Sequence, residues 1–163
     1  MGVDFPAGPG TYGLLFYRPG DGQIQVGRLG QFRFPAGFYL YVGSALGPGG
    51  LAGRLRRHLS EDKRTHWHVD YLGEQAEVVE IWTMLGEERW EHIWAVAAGQ
   101  LPGAKAPVVG FGASDCRCPA HLFHFGQRPE GLDFRRLVEK EGSAAGLAAE
   151  LGERPVRVML MNP

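Results

Sequence analysis

Residues 38–59 read FYLYVGSALGPGGLAGRLRRHL, and the hydrophobic period changes in the middle of them. Phe38 to Val42 alternates with a period of two, the pattern of a strand. Tyr39 and Tyr41 then share one face, with Phe38, Leu40 and Val42 on the other. Gly43 to Gly50 holds four glycines and one proline and reads as a loop. From Leu51 the period becomes helical: Leu51, Leu55 and Leu59 recur every four residues and form an apolar stripe. Arg54 and His58 fall on one border of that stripe, whereas Arg56 and Arg57 point away from it toward solvent. A strand, a glycine-rich turn and a basic helix therefore follow one another. A border cation against a sheet is partly desolvated, which strengthens its attraction for a phosphate. The planar guanidinium fork suits phosphate oxygens.

Working outward, TYGLLFYR at 11–18 reads as a strand, followed by the turn Pro19-Gly-Asp-Gly22 and two short alternating segments, 23–26 and 31–34. Residues 1–9, rich in Gly and Pro, read as a frayed end. EVVEIWTM at 77–84 reads as a further strand. Glu87 to Ala98 has a helical period, with Trp90, Ile93, Trp94 and Ala97 on one face and an acidic first turn. Glu91 sits at the edge of that face, and a border carboxylate is a reasonable ligand for Mg²⁺, which keeps most of its waters. Glu87 and Glu88 read as first-turn acids that complement the helix dipole. Residues 101–115 are loop-like, 121–125 form a short strand, 133–141 and 144–151 read as weak helices, and 156–161 as a terminal strand.

The chain has 163 residues, a net charge of −1 and 44% hydrophobic residues, which fits one folded domain with a real core. No apolar run approaches the ~20 residues that span a bilayer, and the N-terminus lacks the pattern of a secretory signal. With two cysteines two positions apart, a disulfide is disfavoured and a reducing cytoplasm is the expected setting. Basic residues concentrate between Leu51 and Arg64, as a phosphate-facing surface needs.

Several short stretches resemble the GIY-YIG nucleases. Gly10-Thr11-Tyr12 looks like the GIY element and Tyr41-Val42-Gly43 like the YIG element. Leu51-Ala-Gly-Arg54-Leu-Arg-Arg-His58 resembles the helix that follows, and Trp90-Glu91-His-Ile-Trp94 the later helix carrying a metal-binding Glu. The small Uri-type branch, found alone or fused to endonuclease III-like proteins, is the closer likeness. It rests on Tyr41-Val-Gly-Ser-Ala45 with the glycines up to Gly50, on His66-Trp-His-Val-Asp-Tyr-Leu72, and on Gly110-Phe-Gly-Ala-Ser-Asp-Cys-Arg-Cys-Pro-Ala-His-Leu-Phe123.

This resemblance implies an α/β (α+β) fold: a small, mostly antiparallel three-stranded sheet flanked by helices. Residues 1–126 would form the nuclease-like domain, with an inserted hairpin at 19–36, and 127–163 a short helical and strand extension. It implies a metal-dependent endonuclease acting on DNA, in the setting of repair and its proteins. Tyr41, with Tyr12 close by, would help deprotonate the attacking water. Arg54 would stabilise the scissile phosphate, His58 would handle a proton, and Glu91 would hold one Mg²⁺ or Mn²⁺ ion. Arg56, Arg57, His66 and His68 are expected to contact the nucleic acid, the two histidines sharing a face if their segment is extended. Ser44 stands where some members carry Lys. Many members have an Asn beyond the Glu helix, and the single Asn of this chain is Asn162; Asp115 is a candidate substitute. Two other functions stay open: a nucleic-acid-binding module without catalysis, and a zinc-stabilised interaction domain using Cys116, Cys118 and His121 with His66 and His68. The Cys-x-Cys spacing differs from the two-residue loop usual in structural zinc sites, which argues against zinc.

Overall fold

The structure is a computed structural model and describes residues 3–161. Strand β1 (Gly10–Arg18) pairs antiparallel on one side with β4 (Gly37–Ala45) and on the other with β5 (Glu77–Leu85). Two short strands complete the sheet: β6 (Leu122–Phe125) beside β4, and β7 (Arg157–Leu160) beside β5. The order is β6-β4-β1-β5-β7, with antiparallel pairing throughout. The mixed α/β class is as expected, but the sheet has five strands where three were expected. The outer two are the short strands read at 121–125 and 156–161; each is only four residues long, and the sequence pattern does not say which strand it pairs with.

β2 (Gly22–Val26) and β3 (Gly30–Phe34) form a separate hairpin. It branches out between β1 and β4 and leaves them directly paired. Its inward residues Ile24, Val26 and Phe34 are buried, so the insertion is anchored by apolar area rather than hung in solvent.

Alternation along β1 divides the core into two faces. Tyr12, Leu14 and Phe16 join Tyr39 beneath helix α1 (Gly50–Leu59) and the short helix α2 (His68–Gly73). Leu15, Leu40 and Val42 face α3 (Glu91–Gln100) and α4 (Gly131–Ala144), with Trp82, Trp90, Trp94 and Phe134 filling that layer. The leucine stripe of α1 packs as expected, with Leu51 and Leu55 fully buried. Residues 127–163, read as an extension, contribute Phe134 and Val138 to the core and β7 to the sheet edge; the last helix is α5 (Ala148–Glu153).

Four local expectations are corrected. Residues 3–9 are not frayed: Phe5 is buried, and Gly8 O accepts the backbone N–H of Leu51 at 2.8 Å; Met1 and Gly2 lie outside the described residues. β4 runs on to Ala45, through the first part of the expected loop, because Gly43 to Ala45 still pair with β1. The helix expected from Glu87 starts at Glu91, so Glu87 and Glu88 are not first-turn acids; Glu88 instead meets Arg154 at 2.7 Å. The segment around His66 and His68 is not a strand. Asp70 accepts the backbone N–H groups of His66 and Trp67, both at 2.9 Å, and turns the chain into α2.

Candidate active site

The register of β1 and β4 sets the first part of the site. Tyr12 stands opposite Gly43, and Leu14 opposite Tyr41. Tyr12 and Tyr41 therefore occupy the same face one pleat apart, with ring centroids 6.4 Å apart. Gly43 is required here by close approach. A Cβ at that position would lie 2.5 Å from the Tyr12 hydroxyl oxygen, so the tyrosine ring lies across a residue that has no side chain.

Helix α1 closes over the same face. His58, buried from the last turn of α1, puts Nε2 2.7 Å from the Tyr12 hydroxyl. Its ring lies 6.2 Å from that of Tyr41. The Asp70 carboxylate sits 4.0 Å from His58 Nδ1. That negative charge favours the tautomer with the proton on Nδ1, which leaves Nε2 to accept the Tyr12 proton. The result is a carboxylate–imidazole–phenol row running from α2 through α1 to β1.

Burial sets the charge states along this row. Desolvation pushes His58 down to about 3, against the pull of Asp70. Burial would raise Asp70, but bonds from Arg57, His66 and Trp67 hold it below the ordinary carboxylate range. Burial raises Tyr12 well above the usual tyrosine range, and Tyr41, Glu91 and Asp70 add to that against Arg54. Tyr41 is raised by burial first and by Glu91 next. Both phenols are therefore protonated at neutral pH, and His58 is neutral.

Asp70 went unnoticed in the sequence. It is 1% exposed and takes a two-pronged contact from Arg57, with Nη1 to Oδ1 at 3.2 Å and Nη2 to Oδ2 at 3.0 Å. Arg57 thus does not extend into solvent as its helical angle suggested. Its guanidinium also lies 3.7 Å from the centroid of a Trp67 ring, and that of Arg54 lies 4.4 Å from one. Trp67 is a shared platform for the two cations. Arg56 is exposed, as expected.

Glu91 reaches the site from the opposite layer, at the first turn of α3. Its side chain is 16% exposed, with Oε1 3.0 Å from His121 Nδ1. That contact has the distance of an ion pair but lacks the alignment of a hydrogen bond, so the buried Nδ1 has no in-line partner. Burial would raise the Glu91 carboxyl; its close contacts with His121 and Ser44 and the charge of the nearby histidines bring it below the ordinary range. Ser44 follows the Tyr41-Val-Gly43 stretch, and Glu91's charge is felt at both tyrosine hydroxyls. Glu91, Tyr12, Tyr41, His58 and Arg54 therefore belong to one electrostatic neighbourhood. A single ionised, partly open carboxylate fits Mg²⁺ or Mn²⁺, which bind few protein oxygens.

The remaining candidates lie around this centre. His68 is half-buried, its ring 5.5 Å from Phe111 and its Nδ1 3.4 Å from the Gly112 amide. His66 is exposed at the edge of Trp67. Asp115 is exposed and near enough to help raise Tyr41. Asn162 lies outside the described residues.

The family described as "Domain of unknown function DUF123" matches residues 11–143. The chain belongs to the DUF123 family. The match covers nearly all of β1 through nearly all of α4, and with them every candidate site residue described above. No curated protein and no solved structure matches the chain.

Proposed function

We propose that this chain is a divalent-metal-dependent endonuclease that hydrolyses DNA phosphodiester bonds. Its setting in repair rests on the GIY-YIG resemblance alone. The observation that carries the proposal is the 2.7 Å contact between the Tyr12 hydroxyl and neutral His58, made beside Tyr41, Arg54 and Glu91.

A buried protonated phenol is a poor base by itself, but a phenol that donates to a neutral imidazole is a proton relay. The Tyr12 oxygen accepts a proton from the attacking water while its own proton passes to His58 Nε2. Asp70 favours the imidazolium so formed. Tyr41, one pleat away, orients the water by hydrogen bonding. Arg54, steadied over Trp67, binds the phosphate oxygens as charge builds on them. Glu91 holds the divalent ion, which when bound supplies Lewis-acid stabilisation of the leaving oxygen.

The test is a plasmid-nicking assay with Mg²⁺ or Mn²⁺. Wild type is expected to nick, and Arg54→Ala and Glu91→Ala each to lose at least about a hundredfold in rate. Activity that survives both substitutions rejects the site. A second reading is favoured by the raised tyrosines: a module that binds DNA without cutting it. Salt-sensitive binding with no cleavage under either ion would select it.

A further inference from the structure

Behind Glu91 lies a second cluster that the hydrolytic scheme does not use. Cys116, Cys118 and His121 come from the segment entering β6, and His92 from the first turn of α3. One ligand atom from each side chain lies within 4.8 Å of every other. His92 Nδ1 is 3.3 Å from Cys118 Sγ, and His121 Nε2 is 3.3 Å from Cys116 Sγ. Zinc bonded to sulfur and nitrogen at about 2.3 and 2.0 Å has tetrahedral edges of about 3.3–3.8 Å. The two sulfur–nitrogen contacts, both 3.3 Å, lie within a few tenths of an ångström of about 3.5 Å, the length expected for a mixed S–N edge.

We propose that His92, Cys116, Cys118 and His121 form a structural zinc site. Two thiolates and two imidazoles in a compact group are the donor set that selects tetrahedral Zn²⁺, and four protein ligands leave no open position for catalysis. The surroundings fit a resident cation. The Cys118 amide donates to Cys116 Sγ at 3.3 Å, a bond that stabilises a thiolate. His121 is fully buried, and its Nδ1 turns toward Glu91 Oε1 while Nε2 turns toward the sulfurs. A carboxylate on one ring nitrogen and a metal on the other is the usual arrangement of a zinc-bound histidine. The Cys-x-Cys spacing carries less weight against zinc once the fold adds a histidine from a distant helix. The ion would tie the segment before β6 to α3 and hold His121 against Glu91. It is separate from the ion proposed at Glu91, and its readouts are zinc content and folding, not cleavage.

The full chain is purified under reducing conditions, gel-filtered and assayed for metal by mass spectrometry. One zinc per chain is expected, as is a tetrahedral cobalt spectrum with thiolate-to-metal bands after exchange. Cys118→Ser and His92→Ala should each lower bound zinc at least tenfold. A cysteine variant that fails to fold would lose zinc for another reason, so His92→Ala, on a half-exposed helix face, is checked for wild-type circular dichroism. Wild-type protein stripped by a chelator and reloaded gives a second measure: it should regain one equivalent and a higher Tm. Less than one-tenth of an equivalent after incubation with zinc overturns the proposal. So does zinc content unchanged in both variants, or a mass showing Cys116 and Cys118 joined.

Discussion

Around Tyr12 the polar groups are gathered by regular secondary structure; around His121 they are gathered by a loop. In the first region β1, β4, α1 and α2 each deliver a side chain, and the contacts are closed: Tyr12 to His58 at 2.7 Å and Arg57 to Asp70 at 3.0 Å. In the second, the sulfur–nitrogen contacts are 3.3 Å and the Glu91–His121 contact is out of line. Short direct hydrogen bonds hold the first region together, whereas the second is held by longer contacts among sulfur, imidazole and carboxylate. Glu91 touches both. A rigid, dry relay thus stands beside a carboxylate whose position depends on how its histidine neighbour is held.

Asp70 is where the first region is most easily broken. It carries a bidentate arginine, two backbone amides and the tautomer of His58 in one buried carboxylate. Asp70→Asn keeps the shape but removes the charge. A loss of about 3 kcal/mol is expected, the low end for a buried ion pair because Arg57 is part exposed. Urea unfolding measures it. A loss under about 1 kcal/mol would show that the row from α2 to β1 is held by packing alone.

His58 gives a smaller effect with a distinctive pH dependence. Its folded-state value is pushed down to about 3, from an ordinary 6.5. The unfolded chain therefore binds the proton more readily. Neutral His58 contributes its full stability above pH 6.5, and that stability is lost as pH falls from 6.5 toward 3. Near pH 5.5 the loss from this residue alone is about 1.4 kcal/mol. The paired carboxylates Asp70 and Glu91 are lowered instead, so their contributions fade only below the ordinary carboxylate values of 3.8 and 4.5. Stability measured across pH 7 to 5 should fall for wild type and stay flatter for His58→Gln. Equal slopes in the two proteins would place the titration elsewhere.

The first region was largely legible in the sequence because period and order are local properties. The alternation at 38–42 and the four-residue recurrence of Leu51, Leu55 and Leu59 place Tyr41, Arg54 and His58 directly. The glycine that admits the Tyr12 ring could be quoted as a motif, but its purpose needs the register of β1 against β4. The second region was poorly legible. Cys116, Cys118 and His121 are close in sequence, but His92 is brought to them by the packing of α3, which no spacing rule records. Of the zinc candidates, His66 and His68 lie outside that cluster: His66 packs on Trp67, and His68 opens α2 against Phe111. Asp70 was missed for a related reason: its charge is spent inside the fold, on partners that are distant or belong to the backbone.

The smallest predicted effect tests how α1 divides its cations. Arg56 and Arg57 are neighbours in sequence with different surroundings: Arg56 is exposed, and Arg57 is committed to Asp70 and Trp67. Arg56→Gln should change stability by less than about 0.5 kcal/mol. If α1 faces DNA, the same change releases one phosphate contact, and the slope of log K against log salt falls by about 1. Arg57→Gln should do the reverse, destabilising the fold while leaving that slope unchanged in protein that remains folded. A guanidinium already paired to a carboxylate has no net charge to offer a phosphate, so its removal displaces no counterion. A slope that changes with Arg57 and not with Arg56 would mean that DNA pulls Arg57 off Asp70, and that the relay is reorganised on binding rather than built beforehand.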